Sequence, residues 1–187
     1  MRKVIVSNHT SLDGFIAGSD GKMDRFLWNE ETEAYAKELM ESLDTILFGR
    51  VTYGLMADYW PATASAKEDP IIRRFMNDSR KIVFSTTLEQ ATWKNTSIMT
   101  ELSAGGIAQL KEETGKDIVI YGSGNMVGQL TQLGLIDDYH IFVNPVVLGR
   151  GKSMFKEVAD QRQLVLAEAR TFSNGVVLLH YLSGQSA

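Results

Sequence analysis

Three short segments place glycine, hydroxyl or cationic residues at the end of an apolar run. They are residues 48–53 (FGRVTY), residues 85–87 (STT) and residues 121–127 (YGSGNMV). Glycine lets a phosphate approach the backbone, the free N–H groups at the start of a helix favour an anion, and guanidinium or hydroxyl groups bind the same oxygens. The three segments therefore indicate chemistry that involves a phosphate-bearing ligand.

Each segment also has a simpler structural explanation when it is taken alone. Residues 48–53 can form a glycine turn with Thr52 as a helix cap, and residues 85–87 can form an ordinary loop. Val127 stands where the dinucleotide fingerprint G-x-G-x-x-G needs its third glycine, and Gly49-Arg50 lacks the G-K-[ST] of a P-loop. One extended dinucleotide nevertheless explains three turns at neighbouring strand ends better than three coincidences do.

The elements that must position these segments alternate between buried strands and helices. We predict strands at residues 3–7, 45–48, 81–85, 118–121 and 139–143, and helices at residues 30–43, from 52, 103–114 and 124–134. An Asn174-Gly175 turn between two apolar runs, residues 164–172 and 176–182, predicts a terminal hairpin. The pattern predicts an α/β fold whose mixed sheet is parallel in the middle and antiparallel at one edge. Ligands bind such sheets at the carboxyl ends of the parallel strands.

Composition and charge exclude several classes of protein. The 187 residues are 44% apolar and 22% charged, which predicts one folded domain over residues 1–187. The absence of cysteine excludes disulfide scaffolds, thiolate zinc sites and cysteine nucleophiles, and His9, His140 and His180 stand at no metal-ligand spacing. A net charge of -4 and the lack of an apolar run near ~18 residues argue against nucleic-acid and membrane partners. We therefore expect a cytoplasmic protein without a metal site.

The order of five motifs resembles a known family. The motifs are residues 11–17 (SLDGFIA), 49–53 (GRVTY), 81–85 (KIVFS), 121–124 (YGSG) and 144–151 (NPVVLGRG). Together they resemble the dihydrofolate reductase-like superfamily, and they are most similar to the C-terminal reductase domain of the riboflavin biosynthesis protein RibD, here as a stand-alone protein. The resemblance implies a three-layer fold with an eight-stranded, mostly parallel mixed sheet and a C-terminal antiparallel hairpin. It also implies NADPH as the hydride donor and a homodimer.

The same resemblance implies which residues hold the cofactor. Ile16 and Ala17 would line the nicotinamide pocket, and the stretch between Ile16 and Trp28 would form a loop that closes over it. The phosphates would contact Gly49, Arg50 and Thr52, the 2′-phosphate would contact Ser85 and Thr86, and the pyrophosphate would contact Gly122, Ser123, Gly124, Asn125 and Met126.

Two carboxylates are candidates for the catalytic acid. Folate reductases place a carboxylate in the first long helix, and the spacing of Glu33 from Trp28 and Gly49 fits that position. Glu33 could hold or protonate a pterin-like or pyrimidine ring, or it could belong to a solvated face of the helix. Asp13 competes for the same role, although an Asp-Gly turn also explains it.

These expectations define one predicted function and leave two alternatives. We predict an NADPH-dependent reductase of a small heterocycle, most like the 5-amino-6-(5-phosphoribosylamino)uracil reductase of riboflavin biosynthesis. The enzymatic alternative is dihydrofolate reductase activity. The other alternative is a non-enzymatic dinucleotide-binding or regulatory module that has kept the fold.

Overall fold

The structure is a computed structural model that describes residues 1–156 and 158–184, and two sheets dominate it. The strands are β1 Val4–Ser11, β2 Phe15–Gly18, β3 Leu43–Gly49, β4 Arg80–Phe84, β5 Thr96–Met99, β6 Asp117–Ile120, β7 Asp138–Asn144, β8 Gly151–Ser153, β9 Leu164–Thr171 and β10 Val177–Ser183. The helices are α1 Glu30–Met40, α2 Arg50–Tyr59, α3 Pro70–Asp78, α4 Ala104–Glu112 and α5 Gly124–Gln132, with a 3-10 helix at Thr63–Lys67.

The larger sheet has eight strands in the order β5-β4-β3-β6-β1-β7-β10-β9. The strands from β5 to β7 are parallel to their neighbours, whereas β10 runs antiparallel to both β7 and β9. Gly175 closes the β9–β10 hairpin with a φ of 85°, and its N–H donates to the Phe172 carbonyl at 2.9 Å. Glycine suits this left-handed position because it has no Cβ. The predicted fold class and the predicted terminal hairpin are both confirmed.

Helices cover both faces of the parallel part of this sheet, which explains its continuous apolar runs. On one face, α4 and α5 pack against alternate strand residues such as Val4 and Val6. On the other face, α1, α2 and α3 pack against the residues between them, such as Ile5 and Phe48. Parallel strands that are buried on both faces lack the polar alternation of a half-exposed strand.

The sequence pattern missed the short elements and shifted several boundaries. It did not predict α3 or the strands β2, β5 and β8, of which β2 and β8 form a separate antiparallel ribbon. The helix predicted from residue 30 ends at Met40 because Leu43 already begins β3, and α2 begins at Arg50, before Thr52. Asn29 begins α1 through a capping box with Thr32, as expected for an amide side chain ahead of a helix. No helix in the described part of the chain combines the length and apolarity that a bilayer crossing requires.

Candidate functional site

A large cleft of about 1360 Å³ lies at the carboxyl edge of the parallel strands. The ends of β1, β3, β4 and β6 reach it, and so do the first turns of α2 and α5 and the β2–β8 ribbon. The structure brings every residue predicted to bind the cofactor into its lining: Ile16, Ala17, Gly49, Arg50, Thr52, Ser85, Thr86, Gly122, Ser123, Gly124, Asn125 and Met126.

Two glycine turns meet in the floor of the cleft. Gly49 precedes α2, and a Cβ at this position would lie 2.8 Å from Ser123 Oγ in the turn before α5. No side chain caps the N-terminus of either helix. The first N–H groups of α2 and α5 are therefore adjacent and available to an anion in the cleft.

The turn after β6 needs its glycines for two different reasons. Gly122 has a φ of 83°, which L side chains rarely adopt. A Cβ on Gly124 would lie 2.0 Å from the Ser153 carbonyl oxygen, so Gly124 lets α5 pack directly against the backbone of β8. The first glycine shapes the turn, and the second fixes where α5 starts relative to the β2–β8 ribbon.

The charge of the lining has one sign. Of the residues that the structure describes, no aspartate or glutamate lines the cleft, whereas Arg50, Lys152 and Lys156 do. Neither Arg50 nor Lys152 makes an ion pair or a side-chain hydrogen bond to a described residue. Arg50 at an uncapped helix start and Lys152 in the same lining favour an anionic ligand.

Ser85 organises the turn after β4. Its Oγ accepts hydrogen bonds from the backbone N–H groups of Thr87 at 3.1 Å and Leu88 at 2.9 Å, and the residue is buried. The hydroxyl proton remains available to donate, while Thr86 is exposed in the cleft wall. This turn therefore presents hydroxyl groups to the cleft, as the sequence predicted.

Two residues in the second half of β1 line the cleft but were not predicted as binding residues. Asn8 is 8% exposed, and its Nδ2 has no hydrogen-bond partner in the described part of the chain. A Cβ on Gly122 would lie 4.0 Å from Asn8 Oδ1, so the amide lies beside the glycine turn. A buried amide donor without a partner loses free energy unless a ligand or water satisfies it.

The His9 side chain lies on the face of β1 opposite to Asn8, and Asn144 determines which nitrogen of the neutral His9 ring carries the proton. Asn144 Oδ1 accepts a hydrogen bond from the Leu27 N–H at 2.8 Å, so its amide nitrogen must face His9 Nδ1, at 3.2 Å. The proton of the neutral ring then lies on Nε2, which is buried and has no partner among the described residues. Burial lowers the pKa of His9 to about 4, so the ring is neutral at pH 7.

The structure does not bring Glu33 into the cleft lining. The Glu33 carboxylate lies 3.0 Å from Lys37 Nζ one turn later in α1, and the same ammonium lies 2.9 Å from Asp69 at the start of α3. This carboxylate belongs to an ion-pair group between two helices, so its position does not support a proton donor at Glu33, and that role stays a prediction. Spacing along a helix does not fix the direction in which the helix faces.

Asp13 is also absent from the lining and has a structural role. Its carboxylate accepts hydrogen bonds from the backbone N–H groups of Leu148 at 3.0 Å and Gly149 at 2.7 Å. Hydrogen bonds from Ser11 and from these backbone groups lower the pKa of Asp13 to about 2. The lowered pKa favours the ionised form at neutral pH, and the carboxylate holds the loop after β7.

Comparison with known proteins finds relatives along nearly the whole chain. The family model described as RibD C-terminal domain matches residues 2–178. The Bacillus subtilis (strain 168) protein named "Uncharacterized protein YyaP" is 32% identical over 184 residues, which cover 96% of this chain and 94% of that protein. "Uncharacterized protein YwjB" of the same organism is 29% identical over 185 residues, which cover 97% and 98%.

Solved structures share the fold over the same length. A putative riboflavin biosynthesis protein from Shewanella sp. PV-4 has a TM-score of 0.79 at 21% identity, and the match covers 98% of this chain and 99% of that one. A deaminase/5-amino-6-(5-phosphoribosylamino)uracil reductase from Thermotoga maritima has a TM-score of 0.67 at 18% identity, and the match covers 98% of this chain but 57% of that one. The family-model match confirms the resemblance that the motif order predicted, and these solved structures confirm the fold.

Proposed function

Because the chain belongs to the RibD C-terminal domain family, we propose that it is an NADPH-dependent reductase of a small heterocyclic substrate. One observation carries the proposal: residues predicted from four separate stretches of sequence line a single cleft at the carboxyl edge of the sheet. In open α/β sheets this edge is where nucleotide ligands bind. The name of the Thermotoga maritima enzyme includes 5-amino-6-(5-phosphoribosylamino)uracil. We take that compound as the substrate against which others are compared.

The residues of the cleft fit the parts of a dinucleotide. The uncapped N-termini of α2 and α5, with the Arg50 guanidinium, would hold the pyrophosphate. The hydroxyl-bearing turn at Ser85 and Thr86 would hold the 2′-phosphate. The unpartnered Asn8 amide, beside Ile16 and Gly122, would bind the carboxamide of the nicotinamide ring. When bound, NADPH supplies a hydride, so the protein has to hold and orient the reactants and exclude water.

The lining argues against the folate alternative. A pterin or diaminopyrimidine ring presents N–H donors that a carboxylate is suited to accept. No described residue of the lining is a carboxylate, and Glu33 is engaged with Lys37 outside it. A ring that presents acceptors to the Nε2–H of His9 fits this lining better than one that presents donors.

Titration of the purified protein with NADPH and NADH tests the proposal. We expect NADPH to bind at least about tenfold more tightly, which corresponds to ~1.4 kcal/mol and to one charge-assisted contact with the 2′-phosphate. Loss of the absorbance of reduced nicotinamide with a heterocyclic substrate would then demonstrate reduction. Equal or tighter NADH binding would contradict the cofactor assignment, and binding without turnover of any heterocycle would favour the non-enzymatic module.

A further inference from the structure

The cleft extends beyond its phosphate-binding floor into an apolar end. We use this term for five lining residues contributed by α1, α2, α3 and the turn after α2: Met40, Met56, Trp60, Ile72 and Met76. They pack on the same face of the sheet as Ile5 and Phe48, away from α5 and its glycine turn. The cleft volume of about 1360 Å³ exceeds the ~300–1,000 Å³ typical of a pocket for one drug-sized ligand. There is room for a dinucleotide and for a second molecule that reaches the apolar end.

The cations of the cleft lie elsewhere. Lys152 belongs to β8, and Lys156 follows β8 beside α5, where its backbone carbonyl approaches Gly128. Arg50 is the first residue of α2, at the glycine turn. None of the three belongs to α1 or α3, and the Lys152 ammonium lies beside Gly21, where a Cβ would be 3.1 Å from Nζ.

The neighbouring helices offer no further cation to the apolar end. The Lys37 ammonium of α1 is held by two carboxylates, those of Glu33 at 3.0 Å and Asp69 at 2.9 Å. Arg73 of α3 donates from Nε to the Ser65 hydroxyl at 3.1 Å and lies outside the described lining of the cleft. Neither Lys37 nor Arg73 lines the cleft, so a phosphate at the apolar end would lose its hydration without gaining a charged partner from these helices.

Aromatic rings surround His9, and His9, Phe26 and Trp28 line the same cleft as the apolar end. His9 stacks on Phe142 with ring centroids 4.7 Å apart and an interplanar angle of 6°, and Trp28 lies 5.3 Å from His9. Phe26 lies 6.2 Å from the same ring. Flat rings on neighbouring positions suit a flat ligand, because aromatic groups gain from offset stacking.

We propose that the substrate is an uncharged planar ring with an apolar substituent, and that the apolar end receives this substituent where a phosphorylated ribose would find no cation. The inference rests on the proposed function, because it assigns the phosphate-binding side of the same cleft to NADPH. It narrows the substrate class: the ring presents carbonyl or imine acceptors, and its side chain is apolar.

A matched pair of ligands tests the proposal on protein saturated with NADP⁺. The probes are 5-amino-6-(benzylamino)uracil and 5-amino-6-(5-phosphoribosylamino)uracil, which share one ring and differ in the group on the 6-amino nitrogen. We expect calorimetric titration to give the benzyl compound at least a tenfold lower Kd. Equal affinities, tighter binding of the phosphorylated compound, or no binding of the benzyl compound would each overturn the proposal.

Two neighbouring isoleucines of α3 provide matched variants. Ile72 lines the apolar end and is 8% exposed, whereas Ile71 is 59% exposed and lies outside the described lining. Ile72→Gln should weaken the benzyl compound at least tenfold and leave the NADP⁺ Kd within twofold, while Ile71→Gln should change neither. If Ile72→Gln fails to fold, Met56→Gln gives the same readout at a partly exposed position. Unchanged benzyl affinity in a folded lining variant would overturn the proposal.

The experiment distinguishes failure of the proposed function from failure of this inference. A protein that does not bind NADP⁺ contradicts the cofactor assignment alone. The same two probes are then titrated without the dinucleotide, and the same criteria decide the apolar end.

Discussion

Arg50 is the residue through which the cleft can be tested most directly. Its guanidinium is exposed at the start of α2 and makes no ion pair with a described residue, so its removal should leave the fold intact. We expect Arg50→Gln to raise the Kd for NADPH about tenfold, the loss of ~1.4 kcal/mol of charge-assisted binding. Arg74→Gln is the control, because Arg74 is an exposed arginine of α3 outside the lining. An unchanged Kd in Arg50→Gln would remove Arg50 from the phosphate site.

For Glu33 we predict that replacement leaves activity almost unchanged, in contrast to the loss of cofactor binding predicted for Arg50. Glu33→Gln should leave kcat/KM within twofold and lower the free energy of unfolding by only about 0.3–0.5 kcal/mol, as is typical of an i,i+4 pair. Asp69→Ala should cost more, about 1 kcal/mol or above, because Asp69 also caps α3 by accepting from the Ile71 N–H. Steady-state kinetics and urea unfolding measure both effects. A hundredfold fall in kcat/KM for Glu33→Gln would restore Glu33 as the acid.

At the scale of single residues, the sequence predicted the cleft-lining groups that depend on backbone turns and missed those that depend on side-chain surroundings. Gly122 and Gly49 stand in turns whose strand-to-helix context is visible in the sequence. Asn8 and His9 lie inside a strand, and only the fold shows that their polar atoms lack partners. Alternation along β1 could have placed these two side chains on opposite faces, but it could not have shown that both reach the cleft.

Among the elements, α3 is anchored by a buried lysine of the following strand. Lys81 is 0% exposed, and its Nζ donates to the carbonyl oxygens of Met76 at 2.9 Å, Asn77 at 3.0 Å and Ser79 at 2.7 Å. It thereby satisfies the carbonyl groups that a helix leaves unpaired at its C-terminus. Its ammonium also lies 4.5 Å from the centre of the Trp93 ring.

Replacing this lysine should loosen α3 from the sheet. We expect Lys81→Met to lower the free energy of unfolding by about 2–3 kcal/mol, because buried carbonyl groups lose a charged donor. Lys94→Met is the matched control: Lys94 is exposed and pairs with Asp78 on the surface, so its loss should cost less than about 1 kcal/mol. Urea denaturation of both variants measures the difference. Equal losses would show that the carbonyl contacts of Lys81 contribute little.

The elements that the sequence predicted are those with a long run or a sustained periodic pattern of apolar residues. The strands β3, β4 and β6 are continuous apolar runs because both of their faces are covered. The ribbon strand β8 has three residues, GKS, none of them buried, so no periodicity marks it. The direction of α1, which decides where Glu33 points, is set by packing against α3 and is therefore invisible to spacing alone.

At the scale of the whole molecule, two buried histidines couple stability to pH. Burial lowers the pKa of both His9 and His140 to about 4, from 6.5 in an exposed histidine. The unfolded chain therefore binds protons near pH 6.5, while the folded protein resists them until about pH 4. The contribution of these two neutral histidines to the free energy of unfolding is fully present above pH 6.5, and it falls as the pH drops from 6.5 to 4. The lowered pKa of Asp13 acts only at more acidic pH.

We expect urea unfolding to show that the free energy of unfolding falls by about 2 kcal/mol when the pH is lowered from 6.5 to 5. This is roughly half the ideal value for two such histidines, because solvent screens them in part. His9→Phe should reduce this pH dependence by about half. Phenylalanine can keep the stacking on Phe142, and the Asn144 amide keeps its hydrogen bonds to the carbonyl groups of Thr10 and Phe142, each at 3.1 Å. The variant should therefore be folded at pH 7, and the difference between the two proteins should shrink as the pH falls. An unchanged slope in His9→Phe would mean that His9 binds its proton equally well in the folded and unfolded chain.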